Sequence, residues 1–402
     1  MSDLKDRKFW LATEDEITRG LTTDMYFVNT KKVIDDNKLD NDVVMEIFVR
    51  SVPYDQKWGV VTGIYEVAKL LEGLPIDVDA YQEGGIFVAD SSGVAYEPLV
   101  VIRGKYKDFL EFENPLLGLL CASTGISTRA ARFRIAAADK LLLSFGTRRT
   151  HPVLAPTVER ACYIGGFDGV SNVVGASLLN VEAIGTMPHA LMQIVGDQAA
   201  AWKLFDKSMS ANVPRTILAD TFWDEKAEAI KAFETLGSNL WGLRFDTPGS
   251  RRGNFKKILE EVRWELDIRG GKNVKIIASG NLEEDDLVTL RDVADGFGVG
   301  TAVAYPPVID FSAKIVEVKV GGKIEYRSKR GGLAGEKTVI RGPGFKDTVA
   351  LANTVNGPSL LSPLIRSGKI VRPFETVQEI RSRVLSQIKN VSNSNPELTL
   401  AS

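Results

Sequence analysis

Only two histidines occur in the 402 residues, His151 and His189, so any imidazole chemistry falls to one of them. His189 stands in GTMPHAL, just past an apolar run that reads as a strand. There Thr186 can cap a helix and Pro188 suits its first turn. The positive end of a helix dipole disfavours imidazolium. The neutral ring that results is competent as a nucleophile, beside backbone N–H groups that attract phosphate. A structural histidine bonded to a neighbouring loop is the alternative, and spacing alone leaves both open. His151 precedes a proline, which points to packing.

Three further groups carry chemistry. In SFGTRRTHP (144–152), Phe145 can stack on a flat ring, while Arg148 and Arg149 can hold anionic oxygens in bidentate fashion. A solvated basic loop is the alternative. In LWGLRFD (240–246), the period of two puts Arg244 and Asp246 on one face of a strand. An arginine for phosphate oxygens beside an aspartate for paired hydroxyls is what a phosphorylated sugar needs; a salt bridge within a barrel would look the same. Two glycine turns, Ser279-Gly280 and GFGVGT (296–301), let backbone N–H groups approach a phosphate, and Thr301 adds a hydroxyl. Together they describe a site for an aromatic ring, a ribose and several phosphates.

The elements that position these groups begin at Leu141. Seven short apolar runs follow: 141–146, 163–169, 181–186, 216–221, 240–246, 274–280 and 296–301. Helical stretches intervene, clearest at 190–205, 225–236 and 255–267. Strand–helix alternation predicts parallel strands, and this many units predict an irregular parallel α/β barrel, with an open doubly wound sheet as the alternative. Either fold puts the ligand at the C-terminal strand ends, where the polar residues lie. Before the barrel, a helix over 62–72 and strands at 85–89 and 97–104 predict an α+β sandwich. Leu116, Leu119, Leu120 and Ile126 form the stripe of one or two buried helices over 113–138. After it, FSAKIVEVKVGGKIEYR (311–327) reads as strands and 374–389 as a helix, with 391–402 frayed. The expected division is an N-terminal sandwich over 1–115, a barrel over 116–305 and a C-terminal extension over 306–402 that packs back on the N-terminal domain.

Composition removes whole classes of function. With 44% hydrophobic residues and a net charge of −2, disorder is excluded for the bulk of the chain. Fifty Lys and Arg against 52 Asp and Glu lack the basic excess of a nucleic-acid binder. No long charge-free apolar stretch predicts a membrane span, and the charged N-terminus has no signal-peptide core. Cys121 and Cys162 are too few for a disulfide framework or a four-thiolate zinc site. A cytoplasmic protein is expected.

The ordered set TDMYFVNT (23–30), SFGTRR (144–149), GVSNVVGA (169–176), EAIGTMPHA (182–190), ILADT (217–221), LRFDTPGS (243–250), IIASGNL (276–282) and GFGVGT (296–301) resembles the nicotinate phosphoribosyltransferases in their compact form. The likeness spans nearly the whole chain, from about Thr22 to Lys389. It implies transfer of phosphoribosyl from phosphoribosyl pyrophosphate to nicotinate, giving nicotinate mononucleotide and pyrophosphate in NAD salvage, with ATP hydrolysis coupled through a phosphohistidine at His189. It also implies a ring stacked between Phe145 and Tyr26 of a partner subunit, hence a homodimer with a shared site and Asp24 near that junction. Arg148 would meet the ring substituent and phosphates, and Arg244 and Asp246 the phosphate and ribose diol. Ser279, Gly280, Gly298, Gly300 and Thr301 would cradle the 5′-phosphate, with Thr186 and Asn172 also on substrate. Mg²⁺ accompanies such substrates; its ligands are unassigned, with Asp220 and Asp246 as candidates.

One position bears on acid against amide. Related nicotinamide enzymes carry an aspartate where this chain has Ser171, and serine can donate to a carboxylate that aspartate would repel; Asp168 is the alternative in another register. A nicotinamide or quinolinate transferase, a regulatory homologue without turnover, and a sugar-phosphate aldolase are the rivals. The aldolase needs a Schiff-base lysine at a strand end, and no such end bears one; Lys275 opens its strand.

Overall fold

Six of the apolar runs hydrogen-bond side by side as parallel strands: β1 (Leu141–Ser144), β2 (Gly169–Val170), β3 (Arg215–Leu218), β4 (Leu240–Phe245), β5 (Lys275–Ser279) and β6 (Gly296–Val299). Their order is β2-β1-β6-β5-β4-β3. That is a ring in chain order with one junction missing, between β2 and β3, so the sheet curls into an open, irregular barrel. Leu142, Leu143, Ile217, Leu243, Phe245, Ile276, Ala278, Phe297 and Val299 are all buried, because helices cover one face while the other fills the interior. Each of these Leu, Ile, Val and Phe side chains contributes roughly 1.5–3 kcal/mol relative to exposure.

The structure is a computed structural model that describes residues 7–89, 96–352 and 354–401. It divides into two units, residues 126–306 and residues 1–125 with 307–402. No helix among the described residues is long and apolar enough to cross a membrane.

Helices Glu225–Leu236 and Phe255–Ile268 form where the spacing predicts them. Asp224 and Asn254 cap them by accepting N–H bonds from Ala227 and Lys257. Leu259, Val262 and Leu266 make the buried stripe of the second. Three expectations change. The run 181–186 is not a strand: Glu182, Ala183 and Gly185 are exposed, and Ile184 N–H alone reaches Val170 O, at 2.8 Å. In the run 163–169, Tyr163 and Ile164 end the helix Ala155–Ile164, and only Gly169–Val170 is strand. The stretch 190–205 is two helices, His189–Val195 and Gln198–Ser208, broken at Gly196, whose φ of 84° is left-handed.

In the other unit, Asp42–Val49 pairs antiparallel with Pro98–Lys105 on one side and with Phe311–Val320 on the other. The helix Ile64–Leu71 buries Ile64, Val67, Ala68, Leu70 and Leu71. The chain end is not frayed: Glu397–Leu400 adds a parallel strand to Lys346–Leu351. A free sheet edge supplies backbone partners whatever the side chains, which is why the polar composition of 391–402 misleads.

This unit also buries an acidic cluster. The Tyr81 hydroxyl and, at 2.6 Å, the Val88 N–H both donate to Glu97. Asp347 faces Glu97 and binds Arg341 Nε at 2.9 Å. Burial first, and then Asp347, raise the Glu97 pKa well above the carboxylate range, so it keeps a proton. The unfolded chain releases that proton above about pH 4.3 while the folded chain holds it, so stability falls as pH rises. Glu97→Gln preserves shape and donor without the titration. Its melting temperature is expected to fall less between pH 6 and pH 8.5 than that of the wild type, as thermal melts at the two pH values will read.

Candidate active site

The C-terminal ends of β1, β4, β5 and β6 and the segment 186–188 line one cavity of about 470 Å³. Phe145 continues the β1 ladder, its N–H on Val299 O at 2.8 Å. A Cβ at Gly298 would lie 2.3 Å from the Phe145 ring. Only glycine lets the ring settle there.

Arg244 and Asp246 both reach this cavity from β4 and its end. Arg244 donates from Nη1 to Thr186 Oγ1 at 2.8 Å and from Nη2 to Asp246 Oδ2 at 3.4 Å. Its guanidinium stands 5.4 Å from the Phe145 ring centroid. Burial lowers its pKa, opposed by Asp246 and Asp220, yet an arginine stays charged. Arg244 Nε is buried without a hydrogen-bond partner. An anionic oxygen in the cavity would therefore strengthen an arrangement that the carboxylate only partly satisfies. The two residues form an ion pair and also line the cavity. On the far side, Ser279 Oγ lies 3.0 Å from Phe245 O and 3.2 Å from Asp246 Oδ1, and can donate to one at a time. Gly280 has φ 91°, and a Cβ there would come within 3.0 Å of Asp246 Oδ1. Gly300 and Thr301 complete that wall, and Arg148 and Arg149 stand exposed at its mouth.

His189 opens its short helix, but Pro188 is the N-cap residue and makes no side-chain cap. Thr186, expected as the cap, is engaged by Arg244 instead. The imidazole is not among the cavity-lining residues; it sits against β3's exit loop. Nδ1 is 3.0 Å from Thr221 Oγ1, and Nε2 is 3.6 Å from Asp220 Oδ1. Asp220 Oδ2 accepts from the Asp246 N–H and, at 3.2 Å, from Thr247 Oγ1. Burial pushes Asp220 up to about 6, against the pull of those donors and His189. One chain of contacts thus runs from the backbone N–H of Asp246, whose side chain lines the cavity, through Asp220 to the histidine.

Ser171 and Asn172 do not line the cavity. Glu159 Oε1 accepts both their N–H groups, at 3.0 and 2.9 Å, and lies 3.4 Å from Ser171 Oγ. Asn172 Oδ1 caps the helix Val173–Leu179 through Gly175 N–H at 2.9 Å. Ser171, expected to meet a ring substituent, instead has its hydroxyl facing the buried Glu159. Asp168, the other register, binds Arg134 at 2.8 Å and Leu142 N–H at 2.9 Å, at the N-terminal end of the strands. Tyr26 belongs to the other unit, more than half exposed on the helix Met25–Asp36, with Asp24 as its N-cap residue.

Glu159 and Glu228 stand in no motif that points to chemistry, and Thr221 only ends the run ILADT. The two glutamates are fully buried on helices, where each accepts loop N–H groups. Their signal was an acidic residue on an otherwise apolar helix face, as Glu228 one turn before Ala232.

The sequence matches the family model of quinolinate phosphoribosyl transferase, N-terminal domain, over residues 24–124, and that of the C-terminal domain over 126–314. A nicotinate phosphoribosyltransferase of Mycobacterium tuberculosis is 26% identical over 88% of this chain and 87% of its own. The crystal structure of nicotinate-nucleotide pyrophosphorylase from Pyrococcus furiosus superposes with TM-score 0.91 at 46% identity, covering 96% of this chain and 99% of that one. Human nicotinic acid phosphoribosyltransferase shares the fold, with TM-score 0.72 at 18% identity over 94% and 97% of the two chains.

Proposed function

This chain belongs to the type II phosphoribosyltransferases, and from that premise we propose that it joins nicotinate to phosphoribosyl pyrophosphate, in the cytoplasm, as a step of NAD salvage coupled to ATP hydrolysis. The observation that carries the reading is the Phe145 ring seated over Gly298, with Arg244 at 5.4 Å and Asp246 beyond it. A stacking surface, a cation and an anion thus stand side by side in one cavity, which suits a flat anionic nucleophile and a ribose.

In this reading Phe145 aligns the ring so that its nitrogen faces the ribose C1. Tyr26 from a second copy of the chain closes the other face, which makes the working unit a homodimer. Arg148 and Arg149 meet the carboxylate and the departing pyrophosphate, and they favour the acid over a neutral amide. As the C1–O bond lengthens, positive charge grows on the ribose, and Asp246 is placed to accept its hydroxyls and offset that charge. Ser279 and the backbone of Gly280, Gly298, Gly300 and Thr301 suit the 5′-phosphate. Among the described residues no cluster of three or more His, Cys, Asp and Glu has metal-ligand geometry. Asp246 is the cavity carboxylate that would hold Mg²⁺, which would supply neutralisation of leaving-group charge.

ATP enters through His189. We assign the tautomer that carries its proton on Nε2, toward Asp220 at 3.6 Å, so that Thr221 Oγ–H, 3.0 Å away, donates to the Nδ1 lone pair. It can then take the γ-phosphoryl group while ADP leaves. The contacts Asp220–Asp246 and Thr186–Arg244 support a link between that event and the pyrophosphate site.

The test is product formation from nicotinate, nicotinamide and quinolinate, each with phosphoribosyl pyrophosphate and Mg²⁺, with and without ATP. Nicotinate mononucleotide from nicotinate, rising with ATP, is the expected result. Turnover of nicotinamide alone would refute the acid preference. Release of CO₂ from quinolinate would favour the second reading, which the family models and the surplus of arginines at the cavity mouth recommend.

A further inference from the structure

Glu228 is fully buried, and donors surround its carboxylate. Oε1 accepts from Phe222 N–H at 2.7 Å, Trp223 N–H at 2.8 Å and Gln198 Nε2 at 2.9 Å, while Oε2 accepts from Thr221 N–H at 3.0 Å. A buried carboxylate is costly unless its oxygens are met in this way. The helix it sits on does not need it as a cap, because Asp224 already accepts the Ala227 N–H at 3.0 Å. What it joins are a loop that meets the imidazole and the helix next in the chain after the one His189 opens. One is the loop 221–223, whose first residue sets its hydroxyl 3.0 Å from His189 Nδ1. The other is the helix Gln198–Ser208, which follows directly on the helix that His189 opens.

Resting on the reading of His189 as the phosphoryl acceptor, we propose that Glu228 is a positioning residue for ATP coupling: it holds Thr221 Oγ1 against Nδ1 and so fixes the orientation and tautomer of the ring. In the step it serves, the Nδ1 lone pair forms a bond to the γ-phosphorus as the P–O bond to ADP breaks. ADP leaves with the electron pair, and the Nε2 proton stays on the ring facing Asp220. Thr221 Oγ–H passes from Nδ1 to a phosphoryl oxygen. A ring free to rotate would present Nδ1 only part of the time, and orientation of this kind governs how often the attack geometry is met. An amide at 228 keeps the volume but offers an N–H where a carboxylate oxygen now accepts, so at least one loop N–H loses its partner.

The experiment compares wild type, Glu228→Gln, Thr221→Val and the double variant. Two readouts are taken: acid-labile label from γ-³²P-ATP, and the ratio of nicotinate mononucleotide formed with ATP to that formed without. In Glu228→Gln the initial labelling rate is expected to fall by about tenfold or more and the ratio to move toward one. The double variant should label within about twofold of Thr221→Val alone, because both changes act on one contact. Labelling of Glu228→Gln at the wild-type rate, or effects that multiply in the double variant, would overturn the proposal. So would a variant that melts earlier and loses both rates together at an unchanged ratio, since that marks a structural role only. If Glu228→Gln fails to fold, Gln198→Met removes one of the four donors and should still slow labelling by about threefold; no change there overturns it too. A wild-type protein that takes no label sinks the His189 reading and this proposal together, whereas equal labelling of wild type and variant sinks this proposal alone.

Discussion

Asp246→Asn is expected to lower kcat/KM for nicotinate by on the order of 10²–10³, roughly 2.7–4 kcal/mol of transition-state stabilisation. The carboxylate is the cavity's anion: one oxygen faces Ser279 Oγ at 3.2 Å and the other Arg244 at 3.4 Å. Asparagine keeps one acceptor but turns an amide toward Arg244 or Ser279, and it removes the charge that offsets a ribose cation. Folding should change by no more than about 1 kcal/mol, because the side chain is a third exposed and its backbone N–H still bonds Asp220. Steady-state kinetics at saturating phosphoribosyl pyrophosphate, beside a denaturant melt, decide it. A loss under tenfold would remove Asp246 from the chemistry and leave it as Arg244's partner.

His189→Ala is expected to bring the ratio of rates with and without ATP to one, and to abolish acid-labile label from ATP. The ring is about a third exposed and contributes no core, so its removal should leave the melt nearly unchanged. It would leave the buried Asp220 Oδ1 without the imidazole opposite it, and that oxygen already lacks a hydrogen bond. Retained stimulation by ATP would mean that the nucleotide acts without a phosphohistidine, and the histidine would revert to a loop anchor.

What could be read in advance depended on how local the signal was. Arg244 and Asp246 need only the period of a strand to share a face, and Phe145 needs only to follow one, so all three fall at the cavity. The barrel was legible for the same reason, since strands buried on both faces are written as unbroken apolar runs. The segment 181–186 imitates such a run, but its burial is decided by a single ladder contact from Ile184 and by Thr186 meeting Arg244, which no local pattern encodes. The placement of Ser171 outside the cavity is likewise not encoded locally. Its hydroxyl direction is set by Glu159, twelve residues earlier on a helix. Glu228 lay on a helix face whose apolar rhythm was clear, and only the fold reveals that its interruption serves a loop beside His189.

The missing junction between β2 and β3 has a consequence for exchange with solvent. Amides of β1, β5 and β6 are locked in ladders on both sides, so deuterium should enter them only through opening of the whole sheet. The segment that carries Thr186 and His189 lies between β2 and β3 in the chain and has one backbone bond to the sheet, Ile184 N–H to Val170 O; the rest of its docking falls to side chains, chiefly Arg244 on Thr186 and Thr221 on His189. Its amides should therefore trade protons by local excursions, orders of magnitude faster than those of the sheet. A ligand that engages Arg244, or a phosphoryl group on the imidazole, must alter those excursions. Residues 181–188 would then act as a built-in isotopic gauge of what the cavity holds, readable by mass without any label on the substrate.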